Sequence, residues 1–192
     1  MKRILITQRV DIFKNIGETR ESIDIKFFEL FSSLRLIPLQ ISSEVINQNY
    51  EIHEYISSLS IDGIVLSGGN DIGSYKKRDT LEEELLKFSI QNNIPILGIC
   101  RGLQMINCFQ NGSLVKVDGH CRTRHLINWE GISLSREVNS FHNFGITKDT
   151  LGEKLDPLAF ASDGTIEAIK HSDFPWLGIM WHPEREKVFH KF

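Results

Sequence analysis

The sequence is short of cysteine, and what it has does not suit a disulfide or metal-stapled framework. Cys100, Cys108 and Cys121 are an odd number without a C-x-x-C pair, which points to a reducing compartment, the cytoplasm. No apolar run approaches the ~18 residues needed to cross a bilayer. The start, Met1-Lys2-Arg3-Ile4-Leu5-Ile6, has two basic residues but too short an apolar stretch for a signal-peptide core, and it reads as a first strand. There is no basic excess either. Lys plus Arg number 22 against 25 Asp plus Glu, a net charge of −3, unlike a general nucleic-acid binder. Linkers, repeats and low-complexity segments are missing too. One domain over residues 1–192 is expected, long enough to bury a core without staples.

What is present is an alternation. Short β-branched runs at 3–7, 37–41, 63–67 and 94–99 are separated by helical patterns at 21–34, 51–59 and 80–90. In the first helical pattern Ile23, Phe27, Phe31 and Leu34 recur at spacings of four and three, one face of a helix. The third opens on Glu82-Glu83-Glu84, where a helix dipole favours negative charge. Strands separated by helices predict βαβ units: an α/β class with a mostly parallel sheet flanked by helices. The last third differs. Runs at 158–162, 165–170 and 176–181, joined by turns at Asp163-Gly164 and Asp173-Phe174-Pro175, predict small antiparallel C-terminal strands.

Three segments carry chemistry. Gly98-Ile99-Cys100-Arg101-Gly102 lies between an apolar strand and a helical pattern, the arrangement of a nucleophile elbow with Cys as nucleophile. A sharp strand-to-helix reversal exposes that side chain at a helix N-terminus, where free N–H groups favour thiolate, so Cys100 is expected to ionise below the ordinary thiol value of about 8.5. The competing reading is a buried cysteine ending a core strand. Trp181-His182-Pro183-Glu184 follows another apolar strand. Residues i and i+2 of an extended segment share a side, which sets Glu184 beside His182 as a carboxylate that orients a base; a surface His with a neighbouring Glu is the plainer alternative. Gly68-Gly69, directly after the run at 63–67, can aim a backbone N–H at a reacting oxygen, or can merely change the chain's direction.

In this order the segments resemble the class I glutamine amidotransferase superfamily, and within it the γ-glutamyl hydrolase-like branch (peptidase C26). The matching stretches are SGGND at 67–71, RD at 78–79, GICRGLQMIN at 98–107, GSL at 112–114, VNSFH at 138–142, ASDGTIEA at 161–168 and GIMWHPE at 178–184. The resemblance implies a flavodoxin-like fold and a stand-alone amidohydrolase without cofactor. Cys100 would be the nucleophile, His182 the base and then acid, and Glu184 its orienting partner. The backbone of Gly69 and Arg101 would hold the oxyanion. Gly68, Gln104, Asn139, Ser140, Phe141 and His142 would surround the glutamyl group, although Gln104 reads equally well as an ordinary polar residue of a first helical turn.

The chain departs from that branch in two ways. It is shorter than its relatives, with deletions between Asp71 and Arg78 and between His125 and Val138, which should open the mouth of the site to a bulky leaving group. In addition, Lys116, His120, Arg122, Arg124 and His125 crowd into ten residues, suited to phosphate if not simply a solvated loop. The spacing of His120, Cys121 and His125 matches no standard metal site, and no metal is expected. The open rim, these residues and the run at 6–11 are similar to a short bacterial subgroup that hydrolyses γ-glutamyl-CDP-amidate in capsule phosphoramidate biosynthesis. A γ-glutamyl-GABA-type small amide, or a glutaminase subunit passing ammonia to a synthase, are the alternatives. The expected partner is a small γ-glutamyl amide, with neither nucleic acid nor membrane; oligomeric state is not legible.

Overall fold

A computed structural model describes residues 1–47, 51–131 and 133–186. The strands are β1 (Lys2–Ile6), β2 (Arg9–Phe13), β3 (Glu18–Ser22), β4 (Leu36–Gln40), β5 (Gly63–Leu66), β6 (Ile96–Ile99), β7 (Val115–Lys116), β8 (Cys121–Trp129), β9 (Ser135–Phe141), β10 (Phe144–Gly145), β11 (Leu155–Ala161), β12 (Ile166–His171) and β13 (Trp176–Ile179). The helices are α1 (Lys26–Ser33), α2 (Ile52–Ser58), α3 (Lys76–Asn92) and α4 (Arg101–Phe109). No helix among the described residues is long and apolar enough to cross a membrane.

Nine strands form one sheet in the order β4-β1-β5-β6-β13-β12-β11-β8-β9. From β4 to β13 every pairing is parallel; from β13 to β9 every pairing is antiparallel. Strand periodicity explains how the parallel half is held. Leu5, Ile64 and Leu66 face one core with Leu85, Leu103 and Met105, while Ile4, Ile6 and Val65 face a second with Phe27 and Phe31. Successive residues enter opposite cores, so these strands are apolar throughout.

Three sequence expectations change. The helix expected over 21–34 is split, because β3 pairs with β2 as a hairpin and only Phe27, Leu30 and Phe31 bury a helical face. Glu82 to Glu84 lie inside α3, which begins at Lys76, so a first-turn dipole does not explain them; Glu82 is fully buried and serves a different purpose, described below. The antiparallel part is larger than a C-terminal addition. Residues read as a basic loop and shortened rim form β8 and β9 instead. The polar sequence hides these strands, since β8 is exposed over its first four residues.

Candidate active site

β5, β6 and β13 are neighbours in the sheet, run parallel and end at one edge. Gly68-Gly69, Cys100 and His182 follow the ends of these three strands. Ligand sites in open α/β sheets form at such carboxyl edges. A cleft of about 360 Å³ lies there, lined among others by Gly69, Cys100, Arg122, Phe141 and His182.

Cys100 sits on a strained turn, with φ 52° and ψ −105° as the chain passes from β6 into α4. Its flanking glycines are required by contact. A Cβ on Gly102 would come within 2.0 Å of the Leu66 carbonyl oxygen, and one on Gly98 within 2.6 Å of the Gly102 backbone. These close approaches let α4 seat against β5 and β6 and fix the direction of the thiol.

His182 is held on every side. Its Nδ1–H donates to Glu184 Oε1 at 2.7 Å, which leaves Nε2 with a lone pair. Its backbone N–H donates to Asn139 Oδ1 at 3.0 Å, and its carbonyl accepts from Asn139 Nδ2 at 2.8 Å. Phe141 meets the ring edge-on at 5.8 Å between centroids. The ring also rests on Gly68, where a Cβ would lie 2.6 Å from its Cε1. Clamping of this kind removes the rotamer freedom a base would otherwise lose on reaction.

The thiol is not pre-ionised. Burial pushes Cys100 up to about 12, with Glu184 adding to the rise, and the opposing Arg101 N–H and the Arg185 charge do not compensate. The helix terminus does favour thiolate, but burial outweighs it. Consequently, in a Cys108→Ala/Cys121→Ala background, the alkylation rate of Cys100 should keep climbing through about pH 10. A plateau near neutrality would show a preformed thiolate and overturn this.

The structure separates the remaining site residues into groups. Gly69, Phe141 and Arg122 line the cleft. Asn139 clamps the His182 backbone. Ser140 is buried and its hydroxyl donates to the His120 carbonyl. Gln104 and His142 both donate to the carbonyl of Phe144, at 2.8 and 2.9 Å, and are buried. In place of a common arginine pair, Arg124 is tied to Glu137 and Glu186, whereas Arg122 has φ 58° at an irregularity in the β8–β9 ladder. That bulge re-aims Arg122 alone. Two further cations line the cleft: Arg9, from the run at 6–11, and Arg185, the residue after Glu184; only the fold brings them to the same cleft as Arg122.

Beneath the cleft lies a buried charge network. Glu82 accepts from Arg78 Nε at 3.0 Å, from Thr7 Oγ1 at 2.8 Å and from Arg101, whose guanidinium also reaches Asp79. Arg78 in turn donates to the carbonyls of Ser67 at 2.7 Å and Gly68 at 3.1 Å. One carboxylate thus ties the glycine turn to the elbow helix. The sequence pattern alone gives the Arg78-Asp79 pair no role; its purpose depends on Glu82 one turn later.

Fold and site together define a class I glutamine amidotransferase domain. The profile of the family Glutamine amidotransferase class-I matches residues 28–189, and the chain belongs to that family. It is 37% identical to γ-glutamyl-CDP-amidate hydrolase of Campylobacter jejuni, over 94% of this chain and 89% of that protein. It is 27% identical to a glutamine-hydrolysing GMP synthase subunit of Methanocaldococcus jannaschii, over 75% of this chain and 76% of the relative. A crystal structure of a glutamine amidotransferase from Thermotoga maritima superposes with a TM-score of 0.68 at 16% identity, covering 95% of this chain and 76% of that one. At that identity the likeness concerns the fold, the flavodoxin-like α/β sheet described above.

Proposed function

We propose that this chain hydrolyses a γ-glutamyl amide through a thioester on Cys100, and that the leaving amine bears a nucleoside diphosphate, as in γ-glutamyl-CDP-amidate. The observation that carries the reading is a single cleft holding Cys100, His182 and Gly69 together with three guanidinium groups, Arg9, Arg122 and Arg185. With the resting thiol neutral, its proton passes to His182 Nε2 as the sulfur attacks the γ-carbonyl. Glu184 steadies the imidazolium that results. The backbone N–H groups of Gly69 and Arg101 are suited to the oxyanion, a contribution typically worth about 100- to 1,000-fold per donor. His182 then protonates the leaving nitrogen, and water, deprotonated by the same imidazole, releases glutamate. We place this activity in the cytoplasm, where the three unpaired cysteines stay reduced.

Among the three cleft arginines, Arg9 pairs with Asp11 and Arg185 with Asp24 and Glu184. Arg122 has no ion pair among the described residues, which leaves it for an anion. Arg122→Ala should lower kcat/KM toward γ-glutamyl-CDP-amidate by about 10- to 100-fold, the loss of one charge-assisted hydrogen bond. Hydrolysis of γ-glutamyl-GABA should change less than about threefold, since the glutamyl half is untouched. Arg124→Ala, outside the cleft, should leave the ratio of the two substrates unchanged. An unchanged ratio in Arg122→Ala sinks the nucleotide assignment and favours a small-amine substrate. Similarity to GMP synthase subunits favours a second reading, a glutaminase that feeds a synthase. Efficient turnover of γ-glutamyl amides by the isolated chain, with glutamine a poor substrate, would exclude it.

A further inference from the structure

Away from the thiol, three histidines surround one carboxylate: His120 beside β8, His125 on β8 and His142 just after β9 face Glu167 on β12. Glu167, His120 and His142 are buried and His125 is half-buried. His120 Nδ1 lies 3.6 Å from Glu167 Oε1, His142 Nε2 3.5 Å from the same oxygen, and His125 Nε2 3.3 Å from Oε2. None of these contacts has the geometry of a hydrogen bond, and all five atoms lack any other hydrogen-bond partner among the described residues. The donor atoms of His120, His125 and Glu167 all fall within 4.8 Å of one another.

The outer hydrogen bonds decide what faces inward. His120 Nε2 lies 2.8 Å from Asp163 Oδ2, and His142 Nδ1 2.9 Å from the Phe144 carbonyl. Both partners only accept, so those nitrogens carry the hydrogen, and neutral rings turn bare lone pairs toward Glu167. Lone pairs facing a carboxylate in a buried space repel unless a cation lies between them. Tetrahedral zinc, with ligands at about 2.0–2.1 Å, sets neighbouring donors about 3.4 Å apart, close to the spacings here. A carboxylate on the outer nitrogen of a metal-bound histidine is also the usual second partner, as Asp163 is to His120. We propose that His120 Nδ1, His125 Nε2 and Glu167 form a site for zinc or a similar divalent transition ion, with His142 Nε2 facing the same carboxylate. Three protein ligands would hold the ion, and it would staple β8 to β12 beside the segment bearing Cys121 and Arg122. This goes beyond the proposed hydrolysis and does not depend on it.

The test uses the full chain, stripped with chelator and returned to chelator-free buffer. Zn²⁺ titrated alone should bind at one equivalent and, at a hundredfold excess over Kd, raise Tm by about 5–10 °C. Co²⁺ should give the visible bands of a tetrahedral ion. Asp163→Asn, at the surface and outside the donor set, should weaken Zn²⁺ binding by about 10- to 100-fold. Glu167→Gln should abolish the Co²⁺ bands. If Glu167→Gln fails to fold, the wild-type titration and Asp163→Asn still decide. Absence of Zn²⁺ uptake by the folded wild-type chain overturns the proposal and leaves protons alone as the inner cations. Binding unaltered in Asp163→Asn overturns it equally.

Discussion

Cys100→Ala is expected to reduce turnover of any γ-glutamyl amide by at least about 10⁴-fold, because the proposed thioester forms on its sulfur. The fold should survive. Alanine fits wherever the cysteine does, and the contacts that define the elbow belong to Gly98, Gly102 and the backbone of Leu66. The variant should therefore still bind substrate, and its Tm should move by only a few degrees. Cys108→Ala and Cys121→Ala provide the contrast. Cys108 sits on α4 outside the cleft-lining set, and Cys121 is exposed at its rim; both variants should keep turnover within about threefold, as for substitutions that remove no transition-state contact. A rapid-quench search for the acyl-enzyme completes the experiment. A well-folded Cys108→Ala protein without activity would show that the nucleophile has been misassigned.

Glu82→Ala should have the largest effect on stability. Burial raises the Glu82 carboxyl, yet Arg101 and Arg78 outweigh it and hold the group below its ordinary range. Removing the carboxylate leaves the buried Arg78 without an ion pair and Arg101 with Asp79 alone, a loss of about 3–5 kcal/mol. For a chain of this size that corresponds to a fall in Tm of roughly 6–20 °C. Because the folded-state value is depressed, the stability Glu82 provides is complete above the unfolded value of about 4.3 and disappears as pH falls below it. Glu82→Gln, which keeps the volume but not the charge, should melt between wild type and Glu82→Ala and show a flatter loss on acidification. Thermal melts by circular dichroism at pH 7 and pH 4 read both effects. A Tm within about 2 °C of wild type in Glu82→Ala would mean the network is not holding the fold.

The parts of the site that can be read from sequence are those coded within a few consecutive residues. The elbow needs two glycines around one nucleophile, and its close approaches are local to the strand and helix on either side. His182 and Glu184 share a side because their segment is extended, and Gly68-Gly69 marks a strand end through its own backbone freedom. The parallel half of the sheet is equally visible, since strands buried on both faces become continuous apolar runs.

Other features depend on partners far along the chain. The strands β8 and β9 look like a charged loop because their outer face meets water, and only pairing with β11 and with each other makes them a sheet. Arg122 and Arg124 are two residues apart and equally basic, but a bulge in that ladder sends one to the cleft while two carboxylates hold the other. The helix terminus at Cys100 predicts an acidic thiol, whereas its ionisation is governed by how deeply the packed chain removes it from water. Local sequence by itself determined the strand ends and the residues standing on them. Burial, ladder register and the gathering of His120, His125 and His142 around Glu167 were decided by tertiary structure, because solvation and long-range pairing belong to no single segment.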